Sequence, residues 1–155
     1  MINVLFVCLG NICRSPMAEA LFRDLLEKEN LSDKISVDSA ATSSWHIGSP
    51  PHKGTLAILK KYNISAKGLV GRQLTKQDFE KFDYIVGMDE SNKRNIFEIT
   101  GQPKHPKILR LLDLTEHQKD VPDPYYTGDF EETYQLVSGG CLALLEKIHN
   151  EHYLK

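Results

Sequence analysis

The sequence is sparing with cysteine, one-sided charge and long apolar runs, and each shortage excludes something. Three cysteines, an odd number without framework spacing, exclude a small disulfide-held secreted scaffold and fit a reducing compartment. Nineteen basic against twenty-one acidic residues leave a net charge of −2, with the signs interspersed. No basic or acidic run is present to draw nucleic acid or an anionic membrane, so neither is an expected partner. Nothing approaches the roughly 20 apolar residues of a membrane span. The N-terminal apolar run is too short for the core of a secretion signal and lacks a basic lead-in, which makes the cytoplasm the expected address. Repeats, low-complexity tracts and linkers are also missing. What remains, 155 residues at 41% hydrophobic, suits one globular domain over 1–155 with a sizeable core.

The pattern along the chain alternates strand and helix. Residues 3–8 form a short β-rich run, and Pro16 opens a helical stretch in which Met17, Ala20, Leu21, Leu25 and Leu26 recur at helical spacing. Residues 35–39 read as a second strand, 55–62 as a helix stopped by Asn63, and 84–88 as a third strand. Asp89 then caps another helix. Residues 107–111 make a weaker fourth strand. From Phe130 to about Tyr153, Tyr134, Val137, Cys141, Leu144, Leu145 and Ile148 share one helical side. Strands alternating with helices predict an α/β fold, a parallel sheet covered on both faces. Ligands of such sheets sit beyond the carboxyl ends of the strands. Residues 8–15, Ser39, Asp89 and the loop holding Asp123 each follow a strand, so they are expected to converge.

The densest chemistry lies at Cys8-Leu9-Gly10-Asn11-Ile12-Cys13-Arg14-Ser15-Pro16, on the turn from first strand to helix. Gly10 carries no side chain and Asn11 tolerates left-handed backbone, so the chain can curl with its N–H groups inward. Such a nest at a helix start binds phosphate-like anions. Arg14 adds a planar fork for two phosphate oxygens. The same positive field favours the Cys8 thiolate, to which Ser15 can donate a hydrogen bond. A thiolate beneath a bound phosphate is an in-line nucleophile. Rival readings fit less well. The loop lacks the G-x-x-x-x-G-K-[ST] of nucleotide sites, and Cys8 and Cys13 are too far apart for a C-x-x-C pair. No histidine or cysteine set completes a zinc site, and His149 with His152 does not supply one. Taken alone, Cys8 would be a buried strand-end residue; followed by Arg14, Ser15 and Pro16 in this register, it reads as catalytic.

The run from Cys8 to Ala20 resembles the signature of the low-molecular-weight protein tyrosine phosphatases. The resemblance continues through Asp38-Ser39-Ala40, Trp45, Asp83-Tyr84-Ile85, Met88-Asp89-Glu90-Ser91-Asn92 and Pro122-Asp123-Pro124-Tyr125-Tyr126, so it spans nearly the whole chain. It implies a four-stranded parallel sheet of order 2-1-3-4 with helices on both faces. It also implies phosphotyrosine hydrolysis through a phosphocysteine on Cys8. Arg14 and the loop N–H groups of residues 9–15 would hold phosphate, and Asp123 would serve as general acid and then base. Asn11, Ser15 and Ser39 match the family's loop-supporting set; Ile12, Trp45, Tyr125 and Tyr126 match the substrate crevice. Cys13 matches a position that often forms a reversible disulfide with the nucleophile. No metal or other cofactor is implied, and the partners would be tyrosine-phosphorylated proteins, with the chain a monomer or weak homo-oligomer.

The residues support part of this independently. Pro122 and Pro124 make a stiff arm around Asp123, useful for aiming an acid, although Asp-Pro on its own is as often a surface turn. One departure stands out: many members carry a histidine in the segment where this chain reads Lys67-Gly68-Leu69-Val70-Gly71, which removes one supporting hydrogen bond. Arsenate reductases of similar fold need further relay cysteines, and residues 82–100 contain none. A non-catalytic phosphate-binding module would need neither thiolate nor acid. The phosphoarginine-specific branch is the nearest rival, and it carries threonine where this chain has Ile12. Cys141 reads as core.

Overall fold

The computed structural model describes residues 1–102 and 104–153. Four parallel strands, β1 (Ile2–Cys8), β2 (Ile35–Ala41), β3 (Tyr84–Gly87) and β4 (Ile108–Arg110), form one sheet of order β2-β1-β3-β4. Six helices accompany them: α1 (Arg14–Lys28), α2 (Lys53–Lys61), α3 (Asp78–Lys81), α4 (Glu90–Thr100), α5 (Pro124–Thr127) and α6 (Phe130–His152). A 3₁₀ turn, Leu111–Leu114, follows β4.

β1 is central, and its run Val4-Leu5-Phe6-Val7 is wholly buried because helices cover both faces of the sheet. Alternation along the strand divides the core. Val4, Phe6 and Cys8 join Met17, Phe22, Val137, Leu144 and Ile148 from α1 and α6. Leu5 and Val7 face the other way, among Leu74, Phe82, Ile85, Ile96 and Ile108. α6 comes so near the 3₁₀ turn that a Cβ at Gly140 would lie 2.5 Å from the Leu111 side chain.

The expected sheet is present; β1, β3 and β4 differ from their expected bounds by one residue at one or both ends, and larger shifts occur in β2, α1 and α2. β2 runs two residues past Ser39, because Ala40 and Ala41 pair with Val7 and Cys8 while Ala41 also bonds the backbone of Arg72 and Leu74. α1 begins at Arg14, ahead of Pro16; proline is tolerated there because first-turn N–H groups have no intrahelical partner. α2 likewise starts before Thr55, since His52 Nδ1 accepts from the Gly54 N–H and caps it. Asp89 caps α4 in a reciprocal box with Asn92. The short helices α3 and α5 and the 3₁₀ turn lie outside the expected set, being too brief for a helical period to register.

Candidate active site

The carboxyl ends of β1, β2 and β3 and the loop after β4 bring the chemical residues together. The turn at residues 8–13 curls because Asn11 takes φ 56°; of the two expected pivots, Asn11 is the left-handed one. Gly10 serves close approach instead, since a Cβ there would sit 3.1 Å from His46 Cδ2. The loop carbonyls are drawn outward. Those of Cys8 and Leu9 accept from Thr42 and Ser43 N–H at 2.9 and 3.0 Å, and that of Ile12 from His52 N–H at 2.7 Å. The Cys13 carbonyl takes the Thr55 hydroxyl at 3.2 Å. With its acceptors so engaged, the loop is left presenting donors. The N–H groups of Asn11 and Ser15 point at Cys8 Sγ from 3.3 and 3.4 Å, and Ser15 Oγ lies 3.0 Å away.

A chain of polar groups determines which way the Ser15 proton faces. Ser39 Oγ donates to the buried carboxylate of Glu19 at 2.6 Å. It thereby accepts from Asn11 Nδ2, at 2.9 Å. The same amide nitrogen donates its other proton to Ser15 Oγ at 2.7 Å, so the Ser15 hydroxyl is free to donate to Cys8. Asn11 Oδ1 accepts from the Arg72 N–H at 3.0 Å. Backbone thus supports Asn11 in a region where the resemblance lacks its histidine; Leu69 is packed in the core. Arg72 is itself fixed by Asp38 and Asp78. Burial raises the Glu19 carboxyl above the usual range, opposed by the Ser39 hydrogen bond.

Arg14 is buried beneath the loop. Its Nη1 reaches Asp89 at 2.7 Å and the Val121 carbonyl at 2.9 Å, and its Nη2 reaches Asp123 at 3.3 Å. Burial works against this charge, yet Cys8, Asp89 and Asp123 hold its pKa above the ordinary arginine value. Nε has no hydrogen-bond partner among the described residues. Cys13 is pushed up to about 12 by burial and by the charges at Cys8 and Asp123, and stays a thiol.

Above Cys8 opens a pocket walled by Leu9, Gly10, Ile12, Cys13, Trp45, His46, Asp123, Tyr125 and Tyr126. Trp45 is 68% exposed and Tyr126 72%, so both belong to the rim and not to the core. Tyr125 meets Tyr126 and His52 edge-on, and His52 stacks on Phe130. Asp123 caps α5 through the Tyr125 N–H at 3.0 Å, which turns its second oxygen toward Arg14. Asn11, Arg14, Ser15 and Ser39 are buried and do not themselves line this pocket. Glu19, His46, Arg72 and the Arg14-holding role of Asp89 escape sequence reasoning, because each depends on a partner far along the chain. Among the described residues no three His, Cys, Asp or Glu side chains are grouped to hold a metal ion, and no helix is long and apolar enough to cross a membrane.

A thiol ringed by donors at the end of a central parallel strand, faced by a carboxyl on a proline-flanked arm, is an arrangement with known relatives. Residues 3–154 match the family model of the low molecular weight phosphotyrosine protein phosphatases, and the chain belongs to that family. It is 53% identical to the low molecular weight protein-tyrosine-phosphatase YfkJ of Bacillus subtilis, covering 99% of this chain and all of the relative. The crystal structure of YfkJ superposes with a TM-score of 0.94 at 54% identity, covering 97% of this chain and 96% of that one. The low molecular weight protein-tyrosine-phosphatase PtpA of Staphylococcus aureus is 46% identical, with 100% of this chain and 99% of the relative aligned. A crystal structure of a Drosophila arginine phosphatase shares the fold at TM-score 0.84 and 34% identity, covering 99% of both chains.

Proposed function

We propose that this phosphatase hydrolyses phosphotyrosine through a covalent intermediate on Cys8. Sγ attacks phosphorus, the bond from phosphorus to the phenolic oxygen breaks, and Asp123 gives its proton to the leaving phenolate. Water then attacks the phosphocysteine, Asp123 takes a proton back, and phosphate leaves with the thiolate restored. Arg14 and the loop N–H groups stabilise the charge on the equatorial oxygens in both steps. The observation that carries this reading is the buried Arg14, whose Nε has no partner among the described residues and whose charge is felt at Cys8, a thiol that meets two N–H groups and the Ser15 hydroxyl. A buried guanidinium N–H without an acceptor is costly, and a phosphoryl oxygen is the acceptor its chemistry matches.

Substrate choice follows from the walls. Ile12 offers a branched apolar surface to a phenyl ring and no hydroxyl to orient water or a guanidinium. Tyr125 and Tyr126 add aromatic faces at the mouth. Phosphotyrosine peptides are therefore the expected substrates, with phosphoarginine and phosphoserine poor. The test is kcat/KM for the three, side by side, in EDTA. A preference for phosphoarginine would overturn the specificity, and Ile12→Thr is expected to move the ratio that way. Cys8→Ser is expected to abolish turnover while vanadate binding survives; appreciable hydrolysis by that variant would overturn the mechanism.

A further inference from the structure

The arm that carries Asp123 is held at its tip by Arg14 and by the buried Pro124, and upstream of its prolines by Asp120 and Val121. Pro122 and Pro124 bring no N–H, so the arm cannot be secured through amides at those positions. Upstream, residues 116–119 are exposed. Between the two lie Asp120 and Val121. Val121 is buried; its N–H donates to the Met88 carbonyl at 2.9 Å, and its carbonyl accepts from Arg14. Asp120 is half exposed, yet its Oδ1 accepts twice. One donor is the Glu90 N–H at the start of α4, at 3.0 Å; the other is Arg110 Nη1 at 2.9 Å.

Arg110 ends β4, beside Gly87 of β3, and its side chain is only 14% exposed. Its Nε and Nη2 grip Asp113 at 3.1 and 2.6 Å, and Glu90 Oε1 lies 3.6 Å from Nη1. One guanidinium thus gathers three carboxylates, those of Glu90, Asp113 and Asp120. Without it they would be three like charges close together, on the first turn of α4, the 3₁₀ turn and the loop after it, and their repulsion would loosen Asp120 from the α4 N-terminus. That terminus is the one whose cap, Asp89, holds Arg14.

We propose that Arg110 is a positioning residue for Asp123, acting through Asp120 to fix the root of the acid-bearing arm against β4 and α4. The inference rests on the reading of Asp123 as the acid. Arg110 touches neither substrate nor Cys8; its effect is confined to where the acid stands. Misplacing a proton donor by about an ångström costs on the order of tenfold to a hundredfold in the step that needs it. In the first step it costs little where the leaving group departs without help, while the second step, common to all substrates, is slowed alike.

The experiment compares aryl phosphates of good and poor leaving ability in wild type, Arg110→Gln, Arg110→Lys, Asp120→Ala and Asp123→Ala. The ratio of kcat/KM on good to poor substrates, which runs only as far as departure of the leaving group, is expected to rise about tenfold in Arg110→Gln and Asp120→Ala, less in Arg110→Lys, and most in Asp123→Ala. A simple loss of stability would lower both rates together and leave the ratio alone. Asp120→Ala alters a half-exposed side chain and decides the matter should Arg110→Gln not fold. An unchanged ratio in Asp120→Ala, with a raised one in Asp123→Ala, would overturn the positioning role and spare the acid assignment. An unchanged ratio in Asp123→Ala would overturn the acid assignment and this inference with it.

Discussion

Asn11 combines two burdens that substitution can separate. It is buried in left-handed backbone, and its amide ties Ser15, Ser39 and Arg72 to one another. In Asn11→Ala the Arg72 N–H loses its acceptor, a cost of about 1–3 kcal/mol, and the two serine oxygens each lose a donor, about 0.5–1.5 kcal/mol apiece. A Cβ-bearing residue other than asparagine at positive φ adds about 1–2 kcal/mol. With relaxation and non-additivity, a loss of roughly 3–4 kcal/mol is expected for Asn11→Ala. Asn11→Gly removes the same side chain but not the backbone freedom, and should be about 1 kcal/mol less damaging. Urea unfolding of the three proteins at one pH measures both differences. Asn11→Asp goes further: its oxygens can only accept, so Ser15 and Ser39 would have to turn their protons toward it. Ser15 would then no longer donate to Cys8. That variant should show a slower reaction of Cys8 with iodoacetamide at pH 6 and a deeper loss of kcat than its stability explains. Equal unfolding midpoints for the alanine and glycine variants would refute the backbone part. Unaltered Cys8 alkylation in Asn11→Asp would refute the argument on proton direction.

Two further expectations concern titration and oxidation. Glu19 is raised in the fold by burial, so its contribution is fully present below the ordinary carboxylate value and is lost as pH rises through the raised one. Stability measured by urea midpoint should therefore fall over that interval in wild type and stay flatter in Glu19→Gln; parallel profiles would contradict it. Mild peroxide should convert Cys8 to the sulfenic acid, which the Cys13 thiol condenses with, releasing water and leaving a thiol-reversible disulfide. Peptide mapping that finds Cys8 as sulfinic or sulfonic acid with Cys13 untouched would rule this out.

Much of the architecture is legible in the residues themselves. The unbroken apolar run of β1 marks a strand buried on both faces, and the chemistry trailing each strand anticipates a shared end of the sheet. Asp89 shows why the rest is harder to read. As a helix cap it is visible locally, in the spacing to Asn92, but its second oxygen holds Arg14 across 75 positions of sequence. Glu19 has the look of a solvated helix residue; only β2, laid beside β1, brings Ser39 to it. His46 enters the pocket wall because Gly71 permits it: a Cβ there would lie 2.4 Å from the His46 carbonyl. Arg110 presents nothing but a charge at a strand end until Glu90, Asp113 and Asp120 arrive around it. Local periodicity reports which face is buried, and it carries no information about which distant polar group will complete a hydrogen bond.

The order of residues beneath Cys8 bears on when the thiol becomes reactive. Cys8 and Arg14 leave the ribosome early, whereas Asn11 waits for Ser39 and Arg72, and Arg14 waits for Asp89 and the Val121 carbonyl. These are contacts of long sequence separation, whose formation costs loop-closure entropy. A nascent or truncated chain ending short of Val121 carries Cys8 without its full set of supports. The supports around Cys8 are therefore complete only once the chain has been synthesised past Val121, and a fragment ending before it is expected to hold Cys8 without them.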